Sequence, residues 1–128
     1  MKMKRSEATE QILVMQWCEL NECIYPELEL MHHIPNGGKR DKAEAGRLKK
    51  QGVKAGVPDL HLPVPKGEYC GLYIEMKWNG NKPTPKQKMW IKKLREQRHC
   101  VVVCDGFEEA KDTIIKYMSI VQEVKTIW

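Results

Sequence analysis

The chain has 128 residues, of which 41% are hydrophobic and 30% charged, and a formal charge of +5; this suits one compact domain and is too short for two ordinary ones. No stretch approaches the ~20 apolar residues of a membrane span, and the basic opening Met1-Lys2-Met3-Lys4-Arg5 leads into Ser6-Glu7-Ala8-Thr9-Glu10 rather than into the apolar run of an export signal. The expectation is a soluble, unexported chain with no membrane partner, whose five cysteines, odd in number and without a CxxC pair, are reduced thiols, and whose His32 and His33 lack companions at zinc-site spacing.

In chain order, Ser6 is a candidate N-cap, and Ile12, Met15, Leu20 and Ile24 recur at helical spacing until Tyr25-Pro26, which predicts a first helix over about residues 7 to 23. Leu28 to Ile34 reads as a strand closed by the turn Pro35-Asn36-Gly37-Gly38. A short helix is expected from about 40 to 51, ending near Gly52. Strands follow at Asp59 to Pro63 and at Cys70 to Lys77, separated by a turn around Pro65-Lys66-Gly67. Thr84, Pro85 and Gln87 form the pattern of a capping box with proline at the first helical position, so a helix should run from there to about Arg98. Val101-Val102-Val103 has the continuous apolarity of a strand buried on both faces, and a closing helix covers about Phe107 to Val121. The order α-β-α-β-β-α-β-α predicts a single α/β domain, a mixed sheet flanked by helices.

Charge is unevenly placed. Residues 39 to 54 hold seven basic groups, Lys39, Arg40, Lys42, Arg47, Lys49, Lys50 and Lys54, against Asp41 and Glu44. The net +5 of that segment equals the charge of the whole chain, the concentration a polyanion-binding face requires. A solvated lysine-rich helix is the plainer alternative.

The chemistry centres on Val57-Pro58-Asp59-Leu60 and, sixteen residues beyond Asp59, Ile74-Glu75-Met76-Lys77. Strand alternation puts Glu75 and Lys77 on one face. If the Asp59 strand neighbours theirs, its carboxylate joins them, and the ~4.8 Å strand spacing suits two oxygen ligands of one hard cation, Mg²⁺ or Mn²⁺. A metal acidifies water and polarises a phosphoryl oxygen, and an adjacent ammonium stabilises added negative charge. An isolated Glu-x-Lys beside a hairpin would be an ordinary surface pair. Two other functions would use these residues differently: a non-catalytic DNA-binding module, and a glycosidase with Asp59 and Glu75 as acid and base, which leaves Lys77 unexplained.

In order, Ser6-Glu7-Ala8-Thr9-Glu10-Gln11, Pro35-Asn36-Gly37-Gly38-Lys39-Arg40, the run Gly52 to Leu60, Gly71 to Lys77, Pro85-Lys86-Gln87-x-x-Trp90 and the Val101 strand with its closing helix resemble the virus-type replication-repair nuclease (VRR-NUC) domain. This is a branch of the PD-(D/E)xK restriction-endonuclease-like superfamily, and the likeness spans almost the whole chain. It implies a restriction-endonuclease-like mixed central sheet flanked by helices and metal-dependent cleavage of DNA, with branched forms such as four-way junctions as the expected substrates. It further implies Asp59, Glu75 and the Met76 carbonyl as metal ligands, and Lys77 as the residue that orients or activates the attacking water. The family's helix-one glutamate falls on Glu7, four residues before Gln11, with Glu10 as competitor; Glu7 also reads as a first-turn acid at the helix dipole. Gln87 is either a cap residue or a supporting residue beside the centre, and Trp90 reads as core in preference to a base-stacking platform. Arg40, Lys49, Lys50 and Lys54 are candidate DNA contacts. Stand-alone members imply a homodimer, with Ile127 and Trp128 as apolar candidates for contact, no organic cofactor, and the cytoplasm of a bacterial or phage-infected cell.

Overall fold

The computed structural model describes residues 4–35 and 41–121. The predicted turn at Asn36-Gly37-Gly38, the candidate contact Arg40, and Ile127 and Trp128 lie outside the described residues. The elements are α1 (Glu7–Leu20), a 3₁₀ turn (Pro26–Leu30), β1 (His32–His33), α2 (Lys42–Lys50), β2 (Leu60–Leu62), β3 (Leu72–Lys77), α3 (Pro85–Glu96), β4 (Cys100–Asp105) and α4 (Gly106–Met118). The expected order of helices and strands is reproduced, in a sheet ordered β1-β2-β3-β4. β1, β2 and β3 pair antiparallel, and β4 joins β3 in parallel through the α3 crossover.

Local chemistry sets the ends of these elements. Ser6 caps α1 by accepting from the Thr9 N–H, and Thr9 returns the bond to the Ser6 N–H. α1 stops at Leu20, three residues earlier than the periodicity suggested, because Asn21 closes it with its own side chain on the Trp17 carbonyl. The strand read over Leu28 to Ile34 is largely a 3₁₀ turn: Pro26 fixes the first helical φ and only His32–His33 pair with β2. The alternation of apolar residues there reflects Leu28 and Met31 reaching the core from a turn.

Side-chain parity divides the sheet. Leu60, Leu62, Leu72, Ile74, Met76 and Cys104 face one way into the main core, where Val14 and Cys18 of α1 and Ala110, Ile114 and Tyr117 of α4 cover them. The opposite face carries His61, Tyr73, Glu75 and Lys77, flanked by Val101 and by Ile91 of α3. β4 is an edge strand, so Val103 is 37% exposed; the expectation of a strand buried on both faces is corrected by its position at the end of the sheet. Gln87, Trp90, Ile91 and Leu94 share one face of α3 by their helical spacing; Ile91 is buried there, and Gln87, Trp90 and Leu94 are half-buried.

Candidate active site

The ladder brings the two carboxylates together. Leu60 pairs with Ile74, so one step further along this antiparallel register Asp59 stands across from Glu75 on the face opposite the core. β2 has ended by then, and the Asp59 side chain takes over the pairing: its Oδ2 accepts the Met76 N–H at 2.8 Å. That bond fixes the Asp59 carboxylate against the backbone of the Glu75-Met76-Lys77 turn of strand. The loop before it is held from α3. Gly56 has φ +94, and a Cβ there would lie 2.9 Å from Trp90 Cδ1 and 3.0 Å from the Lys86 carbonyl oxygen, so glycine lets this segment press onto the helix.

Glu75 is 1% exposed, and among the described residues neither of its oxygens has a hydrogen-bond partner. The Lys77 Nζ is 3.9 Å from its Oε1, and Lys77 is itself buried. Burial, followed by the adjacent Asp59 carboxyl, pushes the Glu75 pKa from 4.5 up to about 8, against the opposing pull of Lys77. An orphaned buried carboxyl beside a second carboxylate is the arrangement a cation would relieve. All these donors are hard oxygens, suited to Mg²⁺ or Mn²⁺ rather than to a soft metal. Among the described residues no three His, Cys, Asp or Glu side chains gather for a metal. A cation here would therefore take two carboxylates and complete its shell with backbone oxygen and water, as Mg²⁺ commonly does.

Beneath the carboxylates, His61 stacks on Tyr73 with ring centroids 4.1 Å apart, and His32 and His99 close around it. Burial, with the neighbouring His32 and His99, lowers the His61 pKa to about 4, so this ring is neutral near neutral pH. The alternation Leu60-His61-Leu62 already places His61 on the Asp59 face; nothing in the sequence announced its partners.

The two helix-one acids have different surroundings. Glu10 is fully buried: it accepts from Arg5 at 2.8 and 3.2 Å and from the Phe107 N–H at 3.1 Å, which ties α1 to the first turn of α4. Arg5 holds its carboxyl below the usual range. The same guanidinium lies 4.1 Å over the Trp78 ring, directly after Lys77 in the chain. Glu7 stands one turn earlier and is half-buried. Gln87 completes the α3 capping box, its Oε1 accepting the Thr84 N–H at 2.9 Å. Lys49, Lys50 and Lys54 are all exposed, at the end of α2 and in the loop that leads to Asp59. The sequence does not reveal that Glu10 and Arg5 meet Trp78 and Phe107, because those two lie on segments far along the chain from α1.

A family model for the VRR-NUC domain matches residues 5–108. A solved structure described as a VRR_NUC domain protein is similar with a TM-score of 0.76 and 30% sequence identity, over 94% of this chain and 95% of the other. No curated protein matches. The chain belongs to the VRR-NUC family, and its function is accordingly of the nuclease type, with DNA as the substrate.

Proposed function

We propose that this chain is a metal-dependent endonuclease that hydrolyses phosphodiester bonds in branched DNA, with four-way junctions as the preferred form and Mg²⁺ or Mn²⁺ as cofactor. The observation that carries the proposal is the buried, unpartnered Glu75 carboxyl with Asp59 across the ladder and Lys77 at 3.9 Å. Asp59, Glu75 and the Met76 carbonyl would hold the cation. A bound divalent ion supplies Lewis acidity at the phosphoryl oxygen and a more acidic water. Lys77 orients the attacking water and offsets the charge that develops on the phosphorane. Glu7 serves as the helix-one acid of the site, since Glu10 is taken up by Arg5 and Phe107. Gln87 supports the centre from α3 while its oxygen caps the helix. Arg40, Lys49, Lys50 and Lys54 grip the backbone without reading bases.

Two identical sites related by a two-fold axis match the symmetry of opposite strands in a four-way junction, so a homodimer is the assembly that suits this substrate. The test is a panel of labelled duplex, flap, splayed and four-way DNAs incubated with Mg²⁺, Mn²⁺ or chelator, alongside sedimentation. Cleavage should need metal and favour the junction, and Asp59→Ala, Glu75→Ala and Lys77→Ala should each abolish it while binding survives. Wild-type turnover by the Glu75 variant would refute the site. A monomer at micromolar concentration that cuts duplex and junction alike would refute the dimer and the substrate preference.

A further inference from the structure

A groove of about 780 Å³ runs between α2 and α3, and it has two chemistries. Its floor is apolar, formed by Leu48 of α2 with Trp90 and Leu94 of α3; its rim carries Lys49, Lys54, Lys86 and Lys93. No acidic side chain is among the described residues that line it. α2 buries none of its own residues, so Leu48 is left beside this groove rather than in the core. The groove also leads to the site. Ala55 is in its wall, Gly56 is pressed against Trp90, and Asp59 follows three residues later.

A fully paired duplex presents phosphates but keeps the faces of its bases stacked inside. A lysine rim alone would suit it; an aromatic floor would not. A strand that has left its duplex offers both an anion at every nucleotide and a flat apolar ring, the combination that basic grooves with aromatic platforms bind. We propose that the α2–α3 groove receives unpaired DNA at a branch point, with a base against Trp90 and the flanking phosphates on Lys49, Lys54, Lys86 and Lys93. This rests on the reading of branched DNA as the substrate. The groove thereby distinguishes a branch from plain duplex and delivers the adjoining strand toward Asp59.

The test separates binding from cleavage by working with the full chain in chelator. Fluorescence anisotropy is followed with a labelled oligothymidylate and with a fully paired hairpin, for wild type, for Lys86→Glu with Lys93→Glu, and for Trp90→Leu. The charge reversals lie on exposed positions of α3 and leave the fold in place. They should weaken oligothymidylate binding about tenfold and hairpin binding less than about threefold. Trp90→Leu should weaken the oligothymidylate by about fivefold or more, the loss of one stacked base. Equal losses on both DNAs would assign the rim to duplex backbone and overturn the proposal. So would displacement of the probe by polyglutamate as effectively as by unlabelled oligothymidylate, which would assign the groove to an acidic protein segment. A chain that binds the probe through this groove but never cuts DNA with Mg²⁺ keeps the groove and loses the nuclease reading; a chain that cuts junctions while its groove variants bind the probe like wild type does the reverse.

Discussion

Replacing Glu75 with glutamine should stabilise the metal-free protein at alkaline pH. The wild-type carboxyl is 1% exposed, has no hydrogen-bond donor among the described residues and faces Asp59. Its pKa stands at about 8 in the folded protein, against 4.5 as a free carboxyl. Between those two values the folded protein keeps a proton that the unfolded chain has released, so stability falls as pH rises through the window and the full penalty is present above about 8. At about 1.4 kcal/mol per tenfold change in proton affinity, the span bounds the penalty at about 5 kcal/mol. Lys77, whose Nζ is 3.9 Å away, opposes it, so the expected penalty lies below that bound, at roughly 2 kcal/mol.

The assay is urea unfolding of wild type and Glu75→Gln in chelator at about pH 5 and about pH 9. His61 titrates in part of the same range with the opposite sign, because its folded pKa is lowered to about 4 and the unfolded ring binds a proton first. Taking the difference between the two proteins cancels that contribution. The variant should gain about 2 kcal/mol over wild type at the higher pH and little at the lower, a large fraction of the stability of a small domain. Mg²⁺ should stabilise wild type and leave the variant nearly unchanged. A difference that does not vary with pH, or a variant less stable than wild type at the higher pH, would refute the description of Glu75 as a buried carboxyl waiting for a cation.

Glu10→Ala should cost about 2 kcal/mol in thermal or urea unfolding, because it leaves the Phe107 N–H without its acceptor, whereas Glu7→Ala should change stability by less than about 0.5 kcal/mol and act on cleavage instead. Gly56→Ala should destabilise by about 2 kcal/mol, since alanine resists a φ of +94 and its methyl would meet Trp90, and the displaced loop should also lower cleavage through Asp59. Neutralising Lys49, Lys50 and Lys54 together should weaken binding to all DNA sequences alike and reduce the log–log salt slope by roughly one per lost phosphate contact; an unchanged slope would make the segment a solvated face.

The α/β architecture and the shared face of Glu75 and Lys77 were legible because both follow from local rules, whereas the arrival of Asp59 beside them rests on the pairing of β2 with β3, which the sequence left conditional. Capping at Ser6 and at Thr84 is a matter of side chains three residues apart, and strand parity puts Glu75 beside Lys77 whatever the rest of the chain does. What the sequence withheld depends on neighbours distant along the chain. Val101 to Val103 reads the same at an edge as at the centre of a sheet, and only strand order shows that Val103 reaches solvent. Leu28 and Met31 are core residues in either a strand or a 3₁₀ turn, so apolar spacing did not decide between them. The acids of α1 show the same limit most sharply. Glu7 and Glu10 both sit in the first turn, where either satisfies the helix dipole. Glu10 is singled out by Arg5 and by the Phe107 N–H, ninety-seven residues away. With Glu10 spent on joining α1 to α4 and Asp59 on the Met76 N–H, Glu75 is the carboxylate in the cluster whose oxygens remain without a hydrogen-bond donor among the described residues. Asp41, Asp105 and Glu109 likewise accept backbone N–H groups, so the buried carboxyl left without a donor among the described residues is Glu75, where the proposed chemistry needs it.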